Sequence, residues 1–307
     1  FGEFVDGFRF DVSEELKYEF LSKIYEKDAR KSEHLFIGEA WNKVPLERLG
    51  TCIDGMTDYP FTDMMYKWIL EGNFDYFQAK LKDVLENYPE ETICCSLNSI
   101  DTHDTVRALT ILRGKWMRKD REVWKIDEYP SKWHIFKNGR IVFLTDEFRE
   151  DEAQSDVLEP QLLRKAVEDY KILTLLQFTL PGIPCIYYGT EVGSHGYKDP
   201  FNRKCFPWER INKKTFHHTR RLSKARMSNI EHLKGSYCNI FAGNENILGY
   251  ERNGAIVIFN RDEQEHQITV PKEYENATVV FKTYKGEMQK QGNMITLPRK
   301  AGAILEK

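Results

Sequence analysis

Over residues 1–225 short apolar runs alternate with longer amphipathic ones, and this alternation constrains the fold more than any other feature of the chain. It is the pattern of repeated β-α units around a parallel sheet, and it places the chain in the α/β class. Strands are expected over 4–12, 34–40, 51–56, 92–99 and 183–188. Helices are expected over 13–31, 60–87, 160–179 and 213–230, where Leu, Ile, Phe and Tyr recur at three- and four-residue spacing.

From about residue 236 the apolar segments become short and alternating, as in Ala255-Ile256-Val257-Ile258-Phe259, with Gly, Asn and Pro between them. That is the signature of a small antiparallel β domain. The expected division is therefore 1–234 for the β/α portion and 235–307 for an all-β sandwich. A polar insert at about 114–160 interrupts the alternation and holds Trp116, Trp124 and Trp133, half of the six tryptophans. Loops of that length are usually functional or disordered, and these rings could stack on a sugar or simply anchor the loop.

The 45 basic and 48 acidic residues nearly cancel, so the chain has no strong field to collect nucleic acid or an anionic membrane surface. A neutral substrate fits that balance. The six cysteines lie mostly inside apolar runs without paired metal-site or disulfide-framework spacing, which reads as reduced core thiols. No stretch approaches the roughly 18 apolar residues of a membrane helix. Cytoplasm is the expected location, and a chain opening on Phe1 inside a strand pattern suggests that the natural start lies upstream.

Three carboxylates stand where strands should end: Asp11 closing Gly7-Phe8-Arg9-Phe10-Asp11, Glu39 in Gly38-Glu39-Ala40-Trp41, and Asp104 in Thr102-His103-Asp104. Parallel β/α barrels build their active sites at the C-terminal strand ends, so the three would converge. Each one alone could cap the following helix. All three together favour catalysis, because an acid placed straight after apolar strand residues is costly unless paired or used. Arg9 shares a face with Asp11 through the period-two alternation of a strand and can keep that carboxylate ionised. A nucleophile needs that, whereas a general acid such as Glu39 must hold its proton near neutral pH. Two carboxyls pushed apart in pKa are the recurring arrangement of glycoside hydrolysis, with a retaining pair about 5 Å apart.

The three motifs resemble, in order and spacing, those of the α-amylase family. The likeness extends to the run from Pro181 to Glu191, similar to that family's eighth strand, and to the terminal β domain. Within the family the chain looks most like the neopullulanase and cyclomaltodextrinase branch, from the run Val5 to Val12, Asp58-Tyr59-Pro60-Phe61, and Asn202 to Trp208.

The resemblance implies a retaining enzyme with Asp11 as nucleophile, Glu39 as acid/base and Asp104 as transition-state stabiliser. It implies His103 as a donor to ring hydroxyls and Arg9 as the group orienting Asp11. Trp41 would offer a flat face to the leaving-group sugar, or pack on a neighbouring loop. Glu15, with Glu14, would lie on the acceptor side, or only favour a helix dipole on its first turn. Asp199 and Arg203 would hold the non-reducing sugars, or form a surface ion pair. The substrates implied are malto-oligosaccharides, cyclodextrins or pullulan, with α-1,4 linkages as the main target and α-1,6 linkages as a second. No cofactor is expected, and calcium, where used, would have its ligands in the first half of the barrel.

The chain departs from the family in three places: the long insert after Asp104, Asn42 where a His is usual, and Thr102 where Asn is common. Only the fourth to eighth strands can be counted, so the resemblance implies a partial (β/α)8 barrel. Its missing N-terminal half would be supplied in cis or in trans, a homodimer is a separate expectation, and the 307 residues alone are expected to be inactive. A transglycosylase and a non-catalytic glycan-binding or transport-accessory relative are the alternatives.

Overall fold

The structure, a computed structural model, describes residues 4–27, 33–41, 48–112, 134–137, 140–143, 160–196 and 200–307. Trp116, Trp124, Trp133, Asn42 and Asp199 lie outside the described residues. Five strands, β1 (Gly7–Phe10), β2 (Leu35–Ala40), β3 (Gly55–Asp58), β4 (Leu97–Ser99) and β7 (Ile183–Cys185), form one parallel sheet in that order. Between β4 and β7 in sequence, β5 (His134–Lys137) and β6 (Arg140–Phe143) pair as an antiparallel hairpin within the long insert.

The five expected strands are all present, but several boundaries move. The expected strand 92–99 begins as a short helix, α4 (Glu90–Cys95), and only its end is β4. Pro89 stands before the helix and Glu90 and Glu91 occupy its first turn, a combination that favours a helix start over an extended run. The expected helix 60–87 is two helices, α2 (Tyr59–Glu71) and α3 (Phe74–Asn87). Gly72 takes a left-handed φ of 72° between them, and the Asn73 side chain caps α3 by accepting from the Tyr76 N–H.

The expected helix 13–31 starts late, as α1 (Tyr18–Lys27). Residues 11–15 are instead a turn hooked onto β2: the Ser13 N–H and Oγ both donate to the Glu39 carbonyl, at 3.1 and 2.6 Å. Gly38 makes that hook possible, since a Cβ there would lie 2.6 Å from the Ser13 Oγ. After α5 (Ala108–Leu112), the longest helix, α6 (Pro160–Thr179), runs as expected over 160–179. The last expected helix ends two residues early, as α7 (Lys213–Ser228), followed by the single turn α8 (Ile230–Leu233).

Strands β8 (Asn239–Gly243), β9 (Ile247–Glu251), β10 (Ala255–Asn260), β12 (Thr278–Lys282) and β15 (Ala301–Glu306) make an antiparallel sheet in the order β12-β15-β10-β9-β8. A three-stranded sheet, β11 (His266–Thr269), β14 (Met294–Leu297) and β13 (Gln289–Gln291), covers one of its faces. Between the two sheets lie Ile256, Ile258, Ala303, Leu305, Ile268 and Ile295. The other face of the larger sheet joins the principal core, where Tyr250, Phe259 and Ile304 pack with Trp68 of α2 and Leu175 of α6. Trp68 and Phe259 meet edge to face, centroids 6.0 Å apart.

Candidate active site

Asp11 follows the last residue of β1, Glu39 is the penultimate residue of β2, and Asp104 sits in the turn after β4, so the parallel sheet brings all three to one end. Asp11 is open to solvent, its side chain 74% exposed, while Glu39 is 3% exposed. Arg9 lies between them, its Nη1 2.5 Å from Asp11 Oδ1 and its Nη2 2.8 Å from Glu39 Oε1. The second Glu39 oxygen accepts from the Val12 N–H at 2.9 Å, a contact set up by the left-handed backbone of Val12 (φ 43°).

The two carboxyls are pushed in opposite directions. A hydrogen bond from Glu39 holds the Asp11 carboxyl below the usual carboxylate range, with the Arg9 hydrogen bond and charge adding to it. Burial raises Glu39 above its usual value, against the Val12 N–H and the Arg9 charge, and its contact with Asp11 raises it further. The environment thus favours the ionised form of Asp11 and shifts Glu39 toward holding a proton. Direct contact is closer than the about 5 Å of a retaining pair.

Asp104 is flanked by two basic side chains, with His103 Nε2 2.9 Å from its Oδ2 and Arg203 Nη2 3.3 Å from its Oδ1. The Arg203 Nε also donates to the His103 carbonyl at 3.2 Å, so Arg203 reaches across from the short helical turn Phe201–Arg203. His103 lies close enough for its charge to act on Asp11. Asp104, Glu39 and Arg9 all act on the Tyr59 hydroxyl, whose pKa burial raises strongly. The structure therefore brings Asp11, Glu39, Asp104, Arg9, His103 and Arg203 into one electrostatic cluster.

Trp41 stacks face to face on Tyr59, with centroids 4.1 Å apart and planes 5° apart, so one face of its ring is covered by protein. Glu15 is exposed in the turn before α1, not on the first turn of a helix, because the Ser13 hook delays helix formation to Tyr18. Among the described residues no group of three His, Cys, Asp or Glu side chains could hold a metal ion. No helix of the described residues is long and apolar enough to cross a membrane.

Sequence reasoning did not single out Tyr59 or Asn202 as site residues, although both lie in motifs it quoted. Tyr59 backs Trp41 and pairs its hydroxyl with Thr102 Oγ1 at 3.2 Å. Asn202 is fully buried under the 102–105 turn, donating to its carbonyls.

The catalytic-domain family described as "Alpha amylase, catalytic domain" matches residues 154–296. The three carboxylates fall outside that segment, but alignments to curated proteins run further. A cyclomaltodextrinase of Thermoanaerobacter pseudethanolicus is 25% identical over 311 residues, covering 98% of this chain and 45% of that protein. An amylopullulanase of Thermoanaerobacter thermohydrosulfuricus is 28% identical over 218 residues, covering 67% of this chain and 12% of that protein. Among solved structures, a debranching enzyme of Nostoc punctiforme soaked with acarbose superposes with a TM-score of 0.72 at 20% identity. The match covers all of this chain and 58% of that one, a likeness of fold: part of a β/α barrel followed by antiparallel sheets. The chain thus spans about half the length, or less, of these relatives.

Proposed function

Because this chain is a relative of the α-amylase-family glycoside hydrolases, we propose that it carries the catalytic carboxylates of a retaining α-glucan hydrolase. The observation that carries this reading is the Arg9-bridged pair of carboxyls, with Asp11 pulled below and Glu39 pushed above its usual pKa.

In the first step an Asp11 oxygen attacks the anomeric carbon while Glu39 gives its proton to the departing glycosidic oxygen, leaving a glycosyl ester on Asp11. In the second step Glu39, now a carboxylate, takes a proton from water as that water attacks the anomeric carbon and expels Asp11. Asp104, with His103 and Arg203 at its sides, grips hydroxyls of the distorted ring. Trp41, backed by Tyr59, offers its other face to the leaving-group sugar. The substrates are malto-oligosaccharides, cyclodextrins or pullulan, cleaved at α-1,4 and in some cases α-1,6 bonds, and the working location is the cytoplasm.

In the same reading the five-stranded sheet is completed by further β/α units, in cis or in trans. Among the described residues β1 and β7 each pair with one neighbour only, and an open arc of parallel strands leaves edges and inner faces that a closed barrel would cover.

The test is hydrolysis of maltohexaose and β-cyclodextrin by the complete protein, with Asp11→Asn and Glu39→Gln beside it. Expected are products of retained anomeric configuration and losses of at least about 10³-fold in kcat for both variants. Inverted products, or an Asp11→Asn variant of undiminished activity, would overturn the assignment.

A further inference from the structure

Resting on the hydrolase reading, we propose that Asn202 is a positioning residue that sets the placement of Asp104. Three features carry this. Asn202 is completely buried, and its Nδ2 donates to the carbonyls of His103 at 2.6 Å and Thr105 at 2.8 Å, with a longer contact to that of Thr102 at 3.4 Å. Those carbonyls belong to the turn that carries Asp104, so one amide group grips that turn on both sides of the carboxylate.

Asn202 is itself anchored. Its own carbonyl accepts from the Nε of Arg107 at 2.8 Å. Arg107 is 1% exposed and donates through Nη1 to the Tyr188 carbonyl at 2.5 Å and to Thr190 Oγ1 at 3.2 Å. Thr190 in turn donates to the buried carboxylate of Asp101, which also accepts from the Ala108 N–H at 2.9 Å. Tyr187 covers the guanidinium with its ring, 3.9 Å from the centroid. The chain of contacts runs from the segment after β7, through Arg107, to the underside of the 102–105 turn.

The clamp also explains why an amide stands here. The Asn202 Oδ1 has no hydrogen-bond partner among the described residues, so the side chain works as a donor alone. An aspartate of the same shape would face the same carbonyls with acceptors and push the turn away.

An interaction that places a transition-state stabiliser acts on kcat more than on KM, because a ground-state sugar is held by many other contacts. The experiment compares Asn202→Asp and Asn202→Ala in the complete protein with Tyr250→Phe, which removes a buried hydrogen bond to Thr179 in another part of the core. Two readouts are taken: maltohexaose kinetics per folded molecule, and amide hydrogen exchange of residues 101–107.

The expected result is a kcat lowered about a hundredfold in Asn202→Asp with KM nearly unchanged. Exchange in 101–107 should rise about tenfold or more, while Tyr250→Phe, though less stable, keeps its kcat and its exchange in that turn. Unchanged exchange in 101–107, or a kcat loss no greater than in Tyr250→Phe, overturns the proposal. A complete wild-type protein that cleaves no glucan would instead refute the hydrolase reading, and the exchange comparison would still decide whether Asn202 holds the turn.

Discussion

Arg9 couples the two acids of the site, and its removal gives a signed expectation. In Arg9→Ala the Asp11 carboxyl keeps the hydrogen bond from Glu39 but loses the guanidinium that also holds it low, and Glu39 loses the same cation. Both pKa values rise. In the proposed mechanism the acid limb of the kcat/KM profile follows ionisation of Asp11 and should move to higher pH. So should the basic limb, which follows loss of the Glu39 proton. A profile that narrows from the basic side, or an acid limb that stays in place, would show that Arg9 serves substrate binding alone. At this scale the meeting of Asp11, Glu39, Asp104 and Arg9 at one end of the sheet was legible in the sequence, because Asp11 and Glu39 sit at strand ends, Arg9 at period-two spacing from Asp11, and Asp104 in the turn after a strand. Asn202 and Tyr59 were not, because their partners lie far off in sequence, 97 to 100 residues away for Asn202, and no local period announces such a contact.

Among the elements, the parallel strands and the long helices were legible from apolar spacing, while their ends were decided by single side chains. Ser13 turned the expected start of α1 into a hook on β2, and Asn73 with Gly72 split one amphipathic run into two helices. The same hook leaves Val12, a β-branched residue, at φ 43°, a conformation that costs on the order of 1–3 kcal/mol for such a residue. Val12 is 39% exposed, so little packing is lost on removing its side chain. Glycine would relieve the strain and keep the N–H that Glu39 accepts, at the expense of about 0.4–1 kcal/mol from a freer unfolded chain. Val12→Gly is therefore expected to stabilise by about 1 kcal/mol in urea unfolding. A lower urea midpoint would mean that the strain is absorbed by the surrounding turn and that the Val12 side chain contributes packing the geometry does not suggest.

For the molecule as a whole, the antiparallel sheets and the parallel sheet were each legible from the change of period near residue 236, but the way they join was not. Packing of Phe259, Tyr250 and Ile304 against Trp68 and Leu175 is a matter of which faces meet, and alternation in sequence marks a face without naming its partner. A buried ion pair is among the polar contacts at that junction. Lys300, in the turn leading into β15, places its Nζ 2.7 Å from Asp169 Oδ1 on α6, and both side chains are more than nine-tenths buried. Burial raises the Asp169 carboxyl, with the Lys300 charge pulling the other way, so the acid depends on its partner to stay ionised. Lys300→Met would leave a buried carboxyl unpaired and is expected to cost about 3–5 kcal/mol. Lys300→Met with Asp169→Leu removes both charges and should recover most of that loss, since a buried pair repays little more than its own desolvation. Urea unfolding of the two single variants and the double variant measures this directly. If the double variant is as unstable as Lys300→Met, the pair contributes alignment of β15 on α6 that apolar packing cannot replace, and the junction between the sheets is set by charge as well as by shape.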